Sequence, residues 1–137
     1  MAQDIRITSV STTQLQGDDV TFFALKAPSA ANGGGLTVLA AWAVDDAATT
    51  SGTSYSLALH QYSSAGTPAL AGTIAAAIGG TADPFAAGVP KAFTISSTYQ
   101  FIDAGEWVAI QKEEDNSSDP SSGMVIIHWV PGVANAS

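Results

Sequence analysis

Apolar positions along this chain recur every second residue, and no stretch sustains the three-to-four-residue stripe of an amphipathic helix. Eight segments read as strands, each bounded by Gly, Pro, Ser, Asn or Asp. Ile5 and Ile7 alternate with Asp4, Arg6 and Thr8. After the Gly17-Asp18-Asp19 turn, Val20 to Lys26 places Phe22 and Phe23 on opposite faces. A breaker at Asn32-Gly33-Gly34-Gly35 precedes Leu36 to Val44, where Leu36, Val38, Ala40, Trp42 and Val44 are expected on one face. Tyr55, Leu57 and Leu59 oppose Ser56, Ala58 and His60 in the cleanest half-buried pattern of the chain. Leu70 to Ile78 reads as a strand, although Ala75-Ala76-Ala77 also suits a short helical turn. Phe93 to Ser96 is a short further candidate, and Glu106 to Glu113 and Met124 to Pro131 close the chain.

Eight short strands in 137 residues predict one all-β domain, an antiparallel β-sandwich of jelly-roll type, with a closed barrel or tulip-like fold as alternatives. Residues 1–18 form either an N-terminal arm or an edge strand, and 19–137 the sandwich. The last two strands discriminate between arrangements. As a hairpin, one register sets Trp107 opposite Trp129 and Ile110 opposite Ile126; in a jelly roll the two lie in opposite sheets. Met124 to Val130 is apolar on both faces, unlike an antiparallel strand with one wet side. One face is expected in the core and the other against a loop or another subunit.

Composition narrows the partners. A net charge of −8 with only Arg6, Lys26, Lys91 and Lys112 as cations argues against nucleic acid and anionic membrane, because phosphates require clustered bases. Charged residues make up only 12% while 46% are hydrophobic, so much surface is Ser, Thr, Gly and Ala, which suits faces covered by neighbouring copies. The absence of cysteine removes disulfides and thiolate metal sites. The opening MAQDIRITSV has neither the basic nor the apolar stretch of a secretory signal, and no window approaches the roughly 18 apolar residues of a membrane helix. A soluble product released inside the producing cell is expected.

Candidate chemistry does not converge. His60 and His128 sit far apart in sequence with no third ligand, and read as hydrogen-bonded structural histidines. No Gly-x-Ser-x-Gly elbow occurs, and Gly33 to Gly35 lacks the Lys-Ser/Thr of a phosphate loop. Glu113, Glu114, Asp115, Asn116 and Asp119 crowd one tip without the spacing of a calcium loop; a solvated, self-repelling loop explains them, with weak calcium binding left open. Asp18-Asp19 and Asp45-Asp46 fall in turns and form no catalytic carboxylate pair across a cleft. The Asn-x-Ser triplets at Asn116 and Asn135 are coincidences of a serine-rich chain. No enzyme, cofactor or metal site is expected.

With its Ala/Gly/Thr/Ser-rich, acidic, cysteine-free composition, the polar segment MAQDIRITSVSTTQLQGDD and the closing pattern DAGEWVAI…GMVIIHWVPG, the chain resembles capsid decoration proteins of tailed bacteriophages. The resemblance implies a homotrimer on the outside of a phage head, assembled in the host cytoplasm and clamping neighbouring major capsid subunits. Ile5, Ile7, Trp107, Ile127 and Trp129 are the apolar side chains expected at an oligomer or capsid interface. A carbohydrate-binding or receptor-binding jelly roll of head-fibre or tail-tip type is the alternative, with Tyr55, Tyr62, Tyr99 and Trp42 as candidate stacking rings.

Overall fold

Alternation of apolar and polar side chains resolves into two antiparallel sheets packed face to face in the computed structural model, which describes residues 4–30, 34–50, 54–114 and 119–132. The strands are β1 (Arg6–Ser11), β2 (Asp19–Lys26), β3 (Leu36–Asp45), β4 (Tyr55–Tyr62), β5 (Leu70–Gly79), β6 (Lys91–Ala92), β7 (Phe101–Ile102), β8 (Trp107–Glu114) and β9 (Gly123–Pro131). A 3₁₀ turn, Thr12–Leu15, follows β1. Sheet A runs β1-β9-β3-β6, with β7 also paired to β3; sheet B runs β2-β8-β4-β5.

The pairings nest. β4 pairs with β5, β3 with β6 and β7, β2 with β8, and β1 with β9, so the chain is one long hairpin wrapped around a core. That nesting is the jelly-roll topology. It places β8 in sheet B and β9 in sheet A, so the hairpin register is not formed. Trp107 stands opposite Lys26 and Tyr62, and Trp129 opposite Arg6 and Val38. The N-terminal segment is an edge strand of the sandwich from Arg6 onward.

Between the sheets lie Leu36, Val38, Tyr55, Leu57, Leu59, Ile74, Phe85, Ile102, Val108, Ile110, Val125 and Ile127, all nearly or wholly buried. Each contributes about 1.5–3 kcal/mol relative to exposure, enough for a core without cross-links. Two sequence expectations change here. In β3 the register slips between Val38 and Ala40, leaving Leu39 as an extra residue. Leu36 and Val38 therefore face inward, whereas beyond the slip Ala41 and Ala43 are buried and Ala40, Trp42 and Val44 turn outward. The strand expected over Phe93 to Ser96 is replaced by three short contacts: β6 and β7 on β3, and a bridge from Ile95 to Ala75. That makes nine strands among the described residues rather than eight. The Ala75-Ala76-Ala77 run is extended within β5.

One end of the sandwich is closed by polar groups. Asp45, 1% exposed, accepts hydrogen bonds from the Tyr55 hydroxyl (2.7 Å), the Ser121 amide (3.2 Å) and the Ala47 amide (3.0 Å). Lys112, wholly buried, donates to the Gly17 carbonyl and to Asp119 at 2.8 Å. Thr12, in the 3₁₀ turn, donates to the Ser121 carbonyl and accepts from the Gly123 amide, while Gln16 holds the Pro120 carbonyl at 2.7 Å. These bonds anchor the segment that carries the chain into β9.

Candidate functional site

The two outward faces differ in chemistry, and the strand register writes each as rows. On sheet A the rows across β1, β9 and β3 are Ile7–His128–Ala40, Ser9–Ile126–Trp42 and Ser11–Met124–Val44, with Ala92 of β6 extending the second. No charged residue occurs in them. Ile7 (62% exposed), Ile5 (58%), Leu39 (41%) and Met124 (39%) stand in solvent, and the His128 ring packs edge-on against Trp42 at 4.8 Å. In a chain of net charge −8, an uncharged face with four large exposed apolar side chains is a candidate interaction surface.

On sheet B the rows across β2, β8, β4 and β5 are Lys26–Trp107–Tyr62–Leu70, Phe23–Ala109–His60–Thr73, Thr21–Gln111–Ala58 and Asp19–Glu113–Ser56–Gly79. The first rows make an aromatic cluster: Phe23 lies edge-on to Tyr62 (5.1 Å) and to Trp107 (5.5 Å), and the Lys26 ammonium sits 5.3 Å from the Trp107 ring. Beside it the alanines leave a shallow trough of about 150 Å³, lined by Ser56, Ala58, His60, Thr73, Ala77, Gln111 and Glu113. Thr21 donates to the Gln111 side-chain oxygen and so fixes the amide, whose nitrogen has no partner among the described residues. His60 Nδ1 is shut away from solvent and has no hydrogen-bond partner among the described residues, which costs about 1–3 kcal/mol. Burial pushes the His60 pKa below its ordinary value, against an opposing pull from the Glu113 carboxylate, so the ring is neutral at neutral pH.

The expected interface residues divide. Ile5 and Ile7 stand exposed at the sheet A edge, and Trp107 is half-buried in the aromatic cluster of sheet B, on the opposite face of the molecule. Ile127 is fully buried and Trp129 nearly so, its indole Nε1 donating to Thr8 at 2.9 Å; both are core residues of the protomer and present no side chain to a neighbour. The outward side chains of β9 are Met124, Ile126, His128 and Val130, because β9 sits centrally between β1 and β3 and turns its odd-numbered residues inward. Of the suggested stacking rings, Tyr55 is core, its hydroxyl held protonated by burial and the adjacent Asp45 carboxylate. Trp42 belongs to sheet A, Tyr99 covers Gly72, and Tyr62 alone joins the aromatic cluster. His60 was also expected to be hydrogen-bonded, and its Nδ1 has no partner among the described residues.

Within the acidic tip, Asp119 is the ion-pair partner of Lys112, and Glu113 lies on the sheet B face. Asp115, Asn116 and the second triplet at Asn135 fall outside the described residues, as does the Glu114 side chain. Among the described residues no three or more His, Asp or Glu side chains gather as a metal site. The sheet B trough escaped the sequence reading because its residues come from three strands; the alternation of Ser56, Ala58 and His60 was the one signal toward it. No protein-family model, curated protein or solved structure matches this chain.

Proposed function

We propose that this protein is a non-enzymatic structural component of a virion, a capsid decoration protein that docks as a trimer on the outside of a phage head. The observation that carries this reading is the uncharged outer face of sheet A, where Ile5, Ile7, Leu39 and Met124 are exposed around Ile126, His128 and Trp42. Burying such a face against copies of the chain and against major capsid subunits releases water from apolar area. Three protomers engaging the shell together multiply modest single contacts. The jelly-roll frame is compatible with this role, since it recurs in viral capsid proteins, though also in lectins and cupins. Acidic surface elsewhere keeps the free protein soluble at the high concentrations of assembly.

Adding purified protein to undecorated, expanded phage heads tests the docking. Saturable binding and a higher temperature of head disruption are expected; absence of both rejects the reading. Light scattering tests the trimer, with a mass near three protomers of 13.8 kDa expected and a single-protomer mass at micromolar concentration counting against it.

A further inference from the structure

We infer that the outer face of sheet B binds a neutral saccharide, with the cluster of Phe23, Tyr62 and Trp107, of which Phe23 is the most exposed ring, as the aromatic wall and Gln111, His60 and Thr73 as the hydrogen-bonding groups. The site is independent of the docking face, since the two lie on opposite sides of the sandwich. Its geometry is a step. Phe23, Tyr62 and Trp107 stand tall at one end of the face, and Ala58, Ala77 and Ala109 form a low floor beside them. Sugars match such a step, because the C–H face of a pyranose lies on an aromatic ring while its hydroxyls reach sideways to polar groups.

The polar lining favours hydroxyl ligands over ions. Thr21 holds the Gln111 oxygen and leaves the amide nitrogen, a donor, unpartnered among the described residues. With Nδ1 shut away from solvent, His60 can offer the trough only its other ring nitrogen, as a single hydrogen-bonding group. Ser56 and Thr73 add hydroxyls, and Glu113 is the one charged residue among the described residues that line the trough. Together with Asp19 in the same row, it disfavours phosphates and other anions. Lys26 is engaged over the Trp107 ring at the far end. The trough, about 150 Å³ and open along the sheet, suits one ring of a longer neutral glycan rather than an enclosed small molecule.

The test uses the full-length protein on a glycan array, followed by NMR titration with chitotriose, cellotriose, maltotriose and lactose at millimolar concentration. A neutral glycan on the array, with shifts at the Gln111 side-chain amide and the Trp107 indole N–H, is expected. Gln111→Ala, an outward substitution that leaves the core intact, should weaken that binding about tenfold, and Trp107→Ala should abolish it. No binding by any glycan, shifts confined to other faces, undiminished affinity in Gln111→Ala, or capture of cationic peptides alone would each overturn the inference. Binding of Gln111→Ala to phage heads is a separate readout, so loss of the sugar site and loss of docking are distinguishable.

Discussion

All four cations of this chain are engaged within the protomer. Arg6 lies 5.5 Å from the Trp129 ring, Lys26 5.3 Å from Trp107 and Lys91 5.8 Å from Phe85, while Lys112 is buried against Asp119. The burial of Lys112 makes its partner the most sensitive residue of the polar end. Asp119→Ala, which takes the counter-charge from a buried ammonium that keeps its bond to the Gly17 carbonyl, should cost about 3 kcal/mol in urea denaturation. The pair Lys112→Met with Asp119→Asn should fall within about 1 kcal/mol of the parent, because it removes the charge along with its partner. Tyr55→Phe should cost about 2 kcal/mol, the worth of its bond to the Asp45 carboxylate. His60 supplies a pH dependence of known sign. Its folded pKa lies below the unfolded value, so the unfolded chain takes up the proton first, and stability falls as pH drops through about 6.5. Thermal midpoints against pH should lose that slope in His60→Gln, while Glu113, which pulls the other way, keeps the parent slope shallow.

At the scale of elements, the sheet edges decide how the molecule avoids sticking to itself, and they are protected unequally. β2 carries a bulge near Ala24 and charges at Asp19 and Lys26. β5 is irregular in register and is covered where Ile95 bridges Ala75 and Ser96 donates to the Ile74 carbonyl. β1 pairs in unbroken register with β9 and displays Ile7, with Arg6 as its one charged residue, which leaves it less guarded than β2 or β5. Two glycines measure how rigid these elements are. A Cβ on Gly123 would sit 2.0 Å from the Val44 carbonyl oxygen, against backbone that cannot yield, so Gly123→Ala should cost about 3 kcal/mol or more. A Cβ on Gly72 would strike the Tyr99 ring at 2.3 Å, but that side chain is 41% exposed and can swing away. Gly72→Ala should therefore cost less than about 1.5 kcal/mol, and its signature is faster aggregation by light scattering as the cover over β5 loosens.

For the whole molecule, the two faces make opposite demands on a partner. Sheet A offers uncharged, partly exposed apolar rows, and sheet B an aromatic step beside a polar trough, so one side suits permanent burial and the other reversible contact. On the proposed function, Ile7→Asp separates assembly from folding. With its side chain 62% exposed, it should change protomer stability by less than about 0.5 kcal/mol, yet a charge placed in the uncharged face should prevent both trimer formation and binding to phage heads. Unchanged assembly in that variant would place the interface elsewhere.

Period-two alternation determined the all-β class, the antiparallel sandwich and most strand limits, because a strand must turn successive side chains to opposite sides whatever it later packs against. Tyr55, Leu57 and Leu59 could be assigned to the interior on that basis alone, and Phe22 and Phe23 to opposite faces. Alternation cannot say which phase faces inward where both are apolar. That is why Ile127 and Trp129 were expected at an interface, and only β9's central place between β1 and β3 put them in the core. Nor can it foresee a single extra residue: Leu39 reverses the phase of β3 and carries Trp42 and Val44 outward. Asp45 with Tyr55, Lys112 with Asp119, and the rows that build each face were decided by the nested wrapping of the chain. Their members meet only after strands far apart in sequence have paired.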